Sequence, residues 1–135
     1  MPYNVYLHPR WTTLALSLVA LIHLLPLSGL LGVAQLQQIY GLTAIDSTTE
    51  LLLRHRAWQF GALGALLIYT IWQRAWRMPM LIFTLLSDLG FLLLALQAWP
   101  PGNALQRVVY FDLLSIALLI FLLLSSHRRM PLASP

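Results

Sequence analysis

Across residues 79–99 the sequence carries one charge, Asp88, in an otherwise apolar run, and this run most limits what the chain can become. A helix crossing the ~30 Å hydrocarbon core of a bilayer needs about 20 mostly apolar residues. Three further stretches qualify, at about 12–33, 51–72 and 107–126. Linkers of 17, 6 and 7 residues join the four, so spans account for most of the 135 residues. The sequence therefore predicts an all-α integral membrane protein: a four-helix bundle of up-down topology, one transmembrane domain over residues 1–135. Only 9% of residues are charged, against roughly a quarter in soluble domains.

The first apolar run is long for a signal peptide, whose hydrophobic region is usually about 7–15 residues, so a retained helix is expected although Gly32-Val33-Ala34 resembles a cleavage site. Orientation follows from the arginines, because basic residues flanking spans stay cytoplasmic. Arg10, Arg74, Arg77, Arg128 and Arg129 fall on one side; Arg54, Arg56 and Arg107 fall on the other, with Asp46 and Glu50. Both termini are thus expected in the cytoplasm, with the protein multi-pass in the inner (plasma) membrane. Trp11, Tyr40, Trp72, Trp76, Trp99 and Tyr110 lie near span ends, where aromatic belts form. The net charge of +4 is dispersed between apolar runs and builds no basic face, so nucleic acid is not an expected partner.

Two acids cannot be kept out of the membrane. Asp88 is close to the midplane counted from either end of its run. The stretch 113–126 is 14 residues, about 21 Å of helix, so the fourth span must begin earlier and draw in Asp112. Insertion itself is affordable: an acid costs about 2.5–3.5 kcal/mol on the translocon scale and each Leu, Ile or Phe returns ~0.3–0.6. What remains is a carboxyl group in hydrocarbon, which must pair, be hydrated or hold a proton. By contrast, 57–73 is free of charge for about 25 Å, so Arg54, His55 and Arg56 can sit at the outer boundary, either as a snorkelling interfacial anchor or as a site.

Arg54, Ala57, Gly61 and Gly64 form one stripe of the second helix, small enough to be a close contact face. Arg56 and Gln59 lie on the adjacent stripe. Asp112 is about 7–8 Å along its helix from Arg107 and within reach of an inward-leaning Arg54 or Arg56, so an Arg–Asp112 pair is the leading expectation. His23 and Asp88 lie at similar depth; either they meet across the bundle axis, or His23 bonds a backbone carbonyl near Pro26.

Motifs of soluble chemistry are absent. With no cysteine there is no disulfide, thiolate metal site or cysteine nucleophile. There is no phosphate loop, His-Glu-x-x-His or nucleophile elbow, and histidines 8, 23, 55 and 127 are on different segments, so no metal and no cofactor is expected.

The string Leu52-Leu53-Arg54-His55-Arg56-Ala57, preceded by Tyr40-Gly41-Leu42 and Asp46 and followed by Phe60-Gly61 and Gly64, resembles an uncharacterised family of small bacterial four-helix inner-membrane proteins, loosely DoxX-like. Asn103-Ala104, Arg107-Val108-Val109 and Asp112-Leu113 resemble the start of that family's fourth helix. The resemblance implies a fold and a membrane location, not an activity. Some such proteins carry the label phosphopantetheine adenylyltransferase, whose His-x-Gly-His phosphate site is absent from this sequence.

The function expected from these residues is binding of an anionic lipid head group, or of a partner membrane subunit or second copy, by Arg54, His55, Arg56, Gln59, Arg107 and Asp112. Two alternatives stand beside it: a small proton-coupled transporter using Asp88, and a lipid- or quinone-linked membrane enzyme drawing on His23, Asp88 and Asp112.

Overall fold

The computed structural model describes residues 9–97, 100 and 102–127. Five α-helices follow one another: α1 (Pro9–Leu24), α2 (Val33–Tyr40), α3 (Ser47–Trp72), α4 (Arg77–Gln97) and α5 (Asn103–His127). Helix α1 continues into a 3-10 segment, Leu25–Leu31, and a second 3-10 turn, Arg74–Trp76, leads into α4. There is no strand among the described residues. His8, Trp99, Arg128, Arg129 and the side chain of His127 lie outside the described residues.

The tightening after Leu24 has a local cause. Pro26 has no N–H to give to a carbonyl one turn back, so the ladder shifts to 3-10 spacing. Gly32, at φ +139°, ends the segment.

The long linker after the first span is not plain loop. Residues 33–40 form α2, closed by Gly41 at φ +67°, whose N–H and that of Leu42 both return to the Gln37 carbonyl. Helix α3 then begins at Ser47, earlier than the expected 51, because Asp46 caps it. Its Oδ1 accepts from the Thr48 and Thr49 amides at 2.9 and 3.0 Å, and its Oδ2 accepts from the Thr49 hydroxyl at 2.6 Å.

Helix α1 packs against α3 and α5, and α4 packs against α5 and α3. The α1–α3 seam uses the small stripe: a Cβ added at Gly64 would lie 2.8 Å from Leu24 Cγ and 3.0 Å from the Ala20 carbonyl oxygen, and one at Gly61 would strike Leu27. Ala57 is buried on the same face, and Arg54 donates to the Leu30 carbonyl at 3.3 Å. Leu16, Val19, Ala20, Leu63, Leu67, Leu81, Leu119 and Leu122 fill the half of the assembly that holds the start of α1 and the end of α5.

The distribution of polarity is inverted relative to a water-soluble fold. His23, Thr84, Asp88, Asp112 and Ser115 are buried, whereas Leu14, Leu18, Leu21, Leu86, Leu93, Leu94, Phe121 and Leu124 are exposed. Trp11, Trp72, Trp76 and Tyr110 are exposed as well. Three helical stretches are long and apolar enough to cross a membrane: Arg10–Leu31, Arg74–Gln97 and Asn103–Ser126. At 26 residues α3 has the length, but Glu50, Arg54, His55, Arg56 and Gln59 make its first half too polar to qualify on composition. Its polar half lies in the same end of the assembly as the buried acids.

Candidate functional site

Each of the four long helices contributes a polar or charged residue to that end and, one turn away, a second group that contacts it or a residue of a neighbouring helix. Helix α1 supplies His23 with the Val19 carbonyl, α3 supplies Arg56 with Phe60, α4 supplies Asp88 with Phe91, and α5 supplies Asp112 with Ser115. Phe60, Phe91 and Ser115 are absent from the sequence-based site. Their spacing of three or four from the charged residue is the signal that marks them.

The innermost element is a buried hydrogen-bonded chain. His23 Nδ1 lies 2.8 Å from the Val19 carbonyl oxygen, and Nε2 lies 3.0 Å from Asp88 Oδ1. Ser115 donates to Asp88 Oδ2 at 2.7 Å. A carbonyl oxygen can only accept, so Nδ1 carries a proton. The Nε2–Oδ1 bond then holds one further proton, on the ring with a carboxylate opposite, or on Asp88 with a neutral ring opposite. The pair is electrically neutral in both forms, which resolves how Asp88 is tolerated in hydrocarbon. The two readings of His23 are thus both realised, the backbone carbonyl on one nitrogen and Asp88 on the other. Phe60 stacks on the imidazole with ring centroids 5.7 Å apart.

Next to this chain is a cavity of about 260 Å³, lined by residues of α1 and its 3-10 extension, α2, α3 and α5. Its polar lining includes Gln35, Gln38, Tyr40, Arg56, Arg107 and Asp112; Ile22, Leu25, Phe60 and Phe111 contribute much of the apolar wall. Gln38, Arg107 and Phe111 are exposed, so the cavity reaches the surface.

The expected Arg–Asp112 pair is not formed. Among the described residues the ion pairs are His23–Asp88 and Arg54–Glu50, the latter at 3.2 Å one turn apart on α3. Arg54 is drawn to Glu50 and the Leu30 carbonyl. Arg56 is held by aromatic faces instead, its guanidinium carbon 4.7 Å from the Phe91 ring centre, 5.2 Å from Phe60 and 5.8 Å from Tyr40. Tyr40, expected near a span end, packs on Arg56. Asp112 is only 4% exposed, and its Oδ2 has no hydrogen-bond partner among the described residues. It remains within electrostatic reach of Asp88, His23 and Arg56.

Of the other sequence-derived candidates, His55 and Gln59 are exposed and do not line the cavity. No group of three or more His, Asp or Glu side chains suited to a metal occurs among the described residues. The arrangement can hold a polar group through two guanidiniums and a carboxylate, and it keeps one proton on a neutral pair beneath them. It does not build a serine nucleophile: Ser115 bonds the carboxylate and not the imidazole. No family model, no curated protein and no solved structure matches the chain.

Proposed function

We propose that the chain is a multi-pass inner-membrane protein in which α1, α3, α4 and α5 form an up-down four-helix bundle with both termini cytoplasmic, and that it binds the phosphate-bearing head group of a membrane lipid in the cavity at its outer end. One observation carries this reading. Arg56, Arg107 and Asp112 line the same cavity, and none of them makes a hydrogen bond or ion pair among the described residues. Charged side chains without hydrogen-bond partners beside lipid suit a ligand, and an arginine fork suits phosphate. The polar first half of α3 fits the same picture, since its basic residues face the cavity end and its second half is apolar. Native mass spectrometry of the gently extracted protein tests it. Bound phospholipid is expected on the wild type and is expected to fall at least about tenfold when Arg56→Ala and Arg107→Ala are combined. Equal lipid on both proteins would overturn the reading, and the same spectra report any partner subunit or second copy.

A proton-coupled carrier is the second reading, favoured by the single proton shared by His23 and Asp88. Its mark is a pH-gradient-driven flux in liposomes that Asp88→Asn abolishes.

A further inference from the structure

We infer that the head group the cavity selects is phosphoethanolamine, its phosphate on Arg56 with Arg107 alongside, and its primary ammonium on Asp112. The inference rests on the lipid-binding reading above and goes further by fixing the chemical class of the ligand. A purely anionic head group would satisfy the arginines yet leave Asp112 worse placed than before, because its buried Oδ2 would still lack a donor and would face a second negative charge. A zwitterion answers both sets of charges.

Depth supports a head group lying across the bundle. Arg56 and Asp112 each stand nine residues into helices that begin at the same end, Ser47 and Asn103, which is about 14 Å along either axis. The end of α2, which leads into α3, lies against the start of α5: a Cβ on Gly41 would lie 2.9 Å from that of Ala104. Arg56 and Asp112 also line one cavity, so phosphate and ammonium of a single head group could be held between them. Arg107 is five residues nearer the helix start, about 7–8 Å shallower, where it can close over the phosphate.

The aromatic rings around Arg56 take up none of its N–H groups in conventional hydrogen bonds, and no hydrogen bond or ion pair engages its side chain among the described residues, so its donors remain to fork toward a phosphate. Leu25 and Phe111, exposed and apolar, line the same cavity and suit the glycerol and acyl portion, so the source of the head group is a lipid and not a soluble phosphoester.

The test uses delipidated full-length protein in detergent, titrated by native mass spectrometry with phosphatidylethanolamine, phosphatidylcholine and phosphatidylglycerol of the same acyl chains, and with soluble glycerophosphoethanolamine. Phosphatidylethanolamine is expected to bind about tenfold more tightly than phosphatidylcholine, which has no ammonium N–H, and than phosphatidylglycerol, whose hydroxyls are uncharged donors. Asp112→Ala is expected to remove that preference while phospholipid binding through the arginines persists. If the wild type prefers phosphatidylglycerol, or treats the three lipids alike, the inference fails and the lipid-binding reading stands. If it holds no phospholipid, both fail. Soluble glycerophosphoethanolamine binding as tightly as the lipid would overturn the lipid source. The wild-type selectivity series decides the matter even if Asp112→Ala does not fold.

Discussion

His23 Nε2 and Asp88 Oδ1, 65 residues apart in sequence, meet at 3.0 Å in a site where each residue is 1% exposed. Helices α1 and α4 have no direct backbone packing on one another; their neighbours are α3 and α5. The pair therefore ties together two helices whose backbones do not pack on one another.

Losing either half of that tie strands the other. Asp88→Leu leaves Nε2 and the Ser115 hydroxyl without partners and is expected to cost about 2–4 kcal/mol of unfolding free energy in detergent. His23→Leu should cost a similar amount. The double variant should lose clearly less than the sum, with a coupling of at least ~1 kcal/mol in the cycle. Additive losses would mean the bond contributes nothing to the fold.

The seam between α1 and α3 tolerates no added volume at Gly64, where the obstacle includes a backbone oxygen. Gly64→Val is expected to destabilise by about 1–3 kcal/mol, since backbone cannot move aside as a side chain can. Gly90, whose added Cβ meets nothing within 4 Å, supplies the contrast. Gly90→Ala should be neutral or stabilising by up to about 1 kcal/mol, measured in the same unfolding assay.

Arg56→Lys keeps the charge and discards the broad guanidinium whose carbon lies within 5.8 Å of three ring centres. The expected loss is about 1–2 kcal/mol of stability, because a compact, strongly hydrated ammonium cannot fill the space among Phe91, Phe60 and Tyr40 as the guanidinium does. Phospholipid retention should weaken as well, since the fork is gone. A lysine variant equal to wild type in both measurements would show that only the charge matters.

Acid should unwind the start of α3 late. The Thr49 hydroxyl, then the Thr49 and Thr48 amides, hold the Asp46 carboxyl below its ordinary value of 3.8. A depressed folded value means the cap's contribution is complete above 3.8 and is lost as the pH falls through the lower folded value. Amide protection factors at Thr48 and Thr49, taken relative to the intrinsic rate at each pH, should hold at pH 4 and fall only below it. Asp46→Asn, which still accepts a hydrogen bond, should remove this acid dependence.

Much of this arrangement can be counted out along the chain. The length of the apolar runs forces Asp88 and Asp112 inward, and the three- and four-residue spacing of Ala57, Gly61 and Gly64 marks the face that α1 covers. Depth arithmetic also sets His23 level with Asp88. What counting along single helices misses is contact between elements. The rings around Arg56 come from α2, α3 and α4, and no one-dimensional pattern shows that they outcompete Asp112 for it. The short α2 was hidden for a different reason: its eight residues are too few to display a period. The Asp46-Ser47-Thr48-Thr49 cap was legible in principle, and it explains why α3 starts a turn before its apolar stretch.

Leu24 sits over Gly64 and Leu27 over Gly61, the same interval repeated on two helices of opposite sense. Sliding α1 by a turn, about 5.4 Å, would drive those leucines onto side chains that have no room for them. The two glycines thus serve as a depth gauge. They set the height at which the His23 ring meets Phe60, and through it the level at which a proton is kept beneath the cavity, although neither glycine has any chemistry of its own.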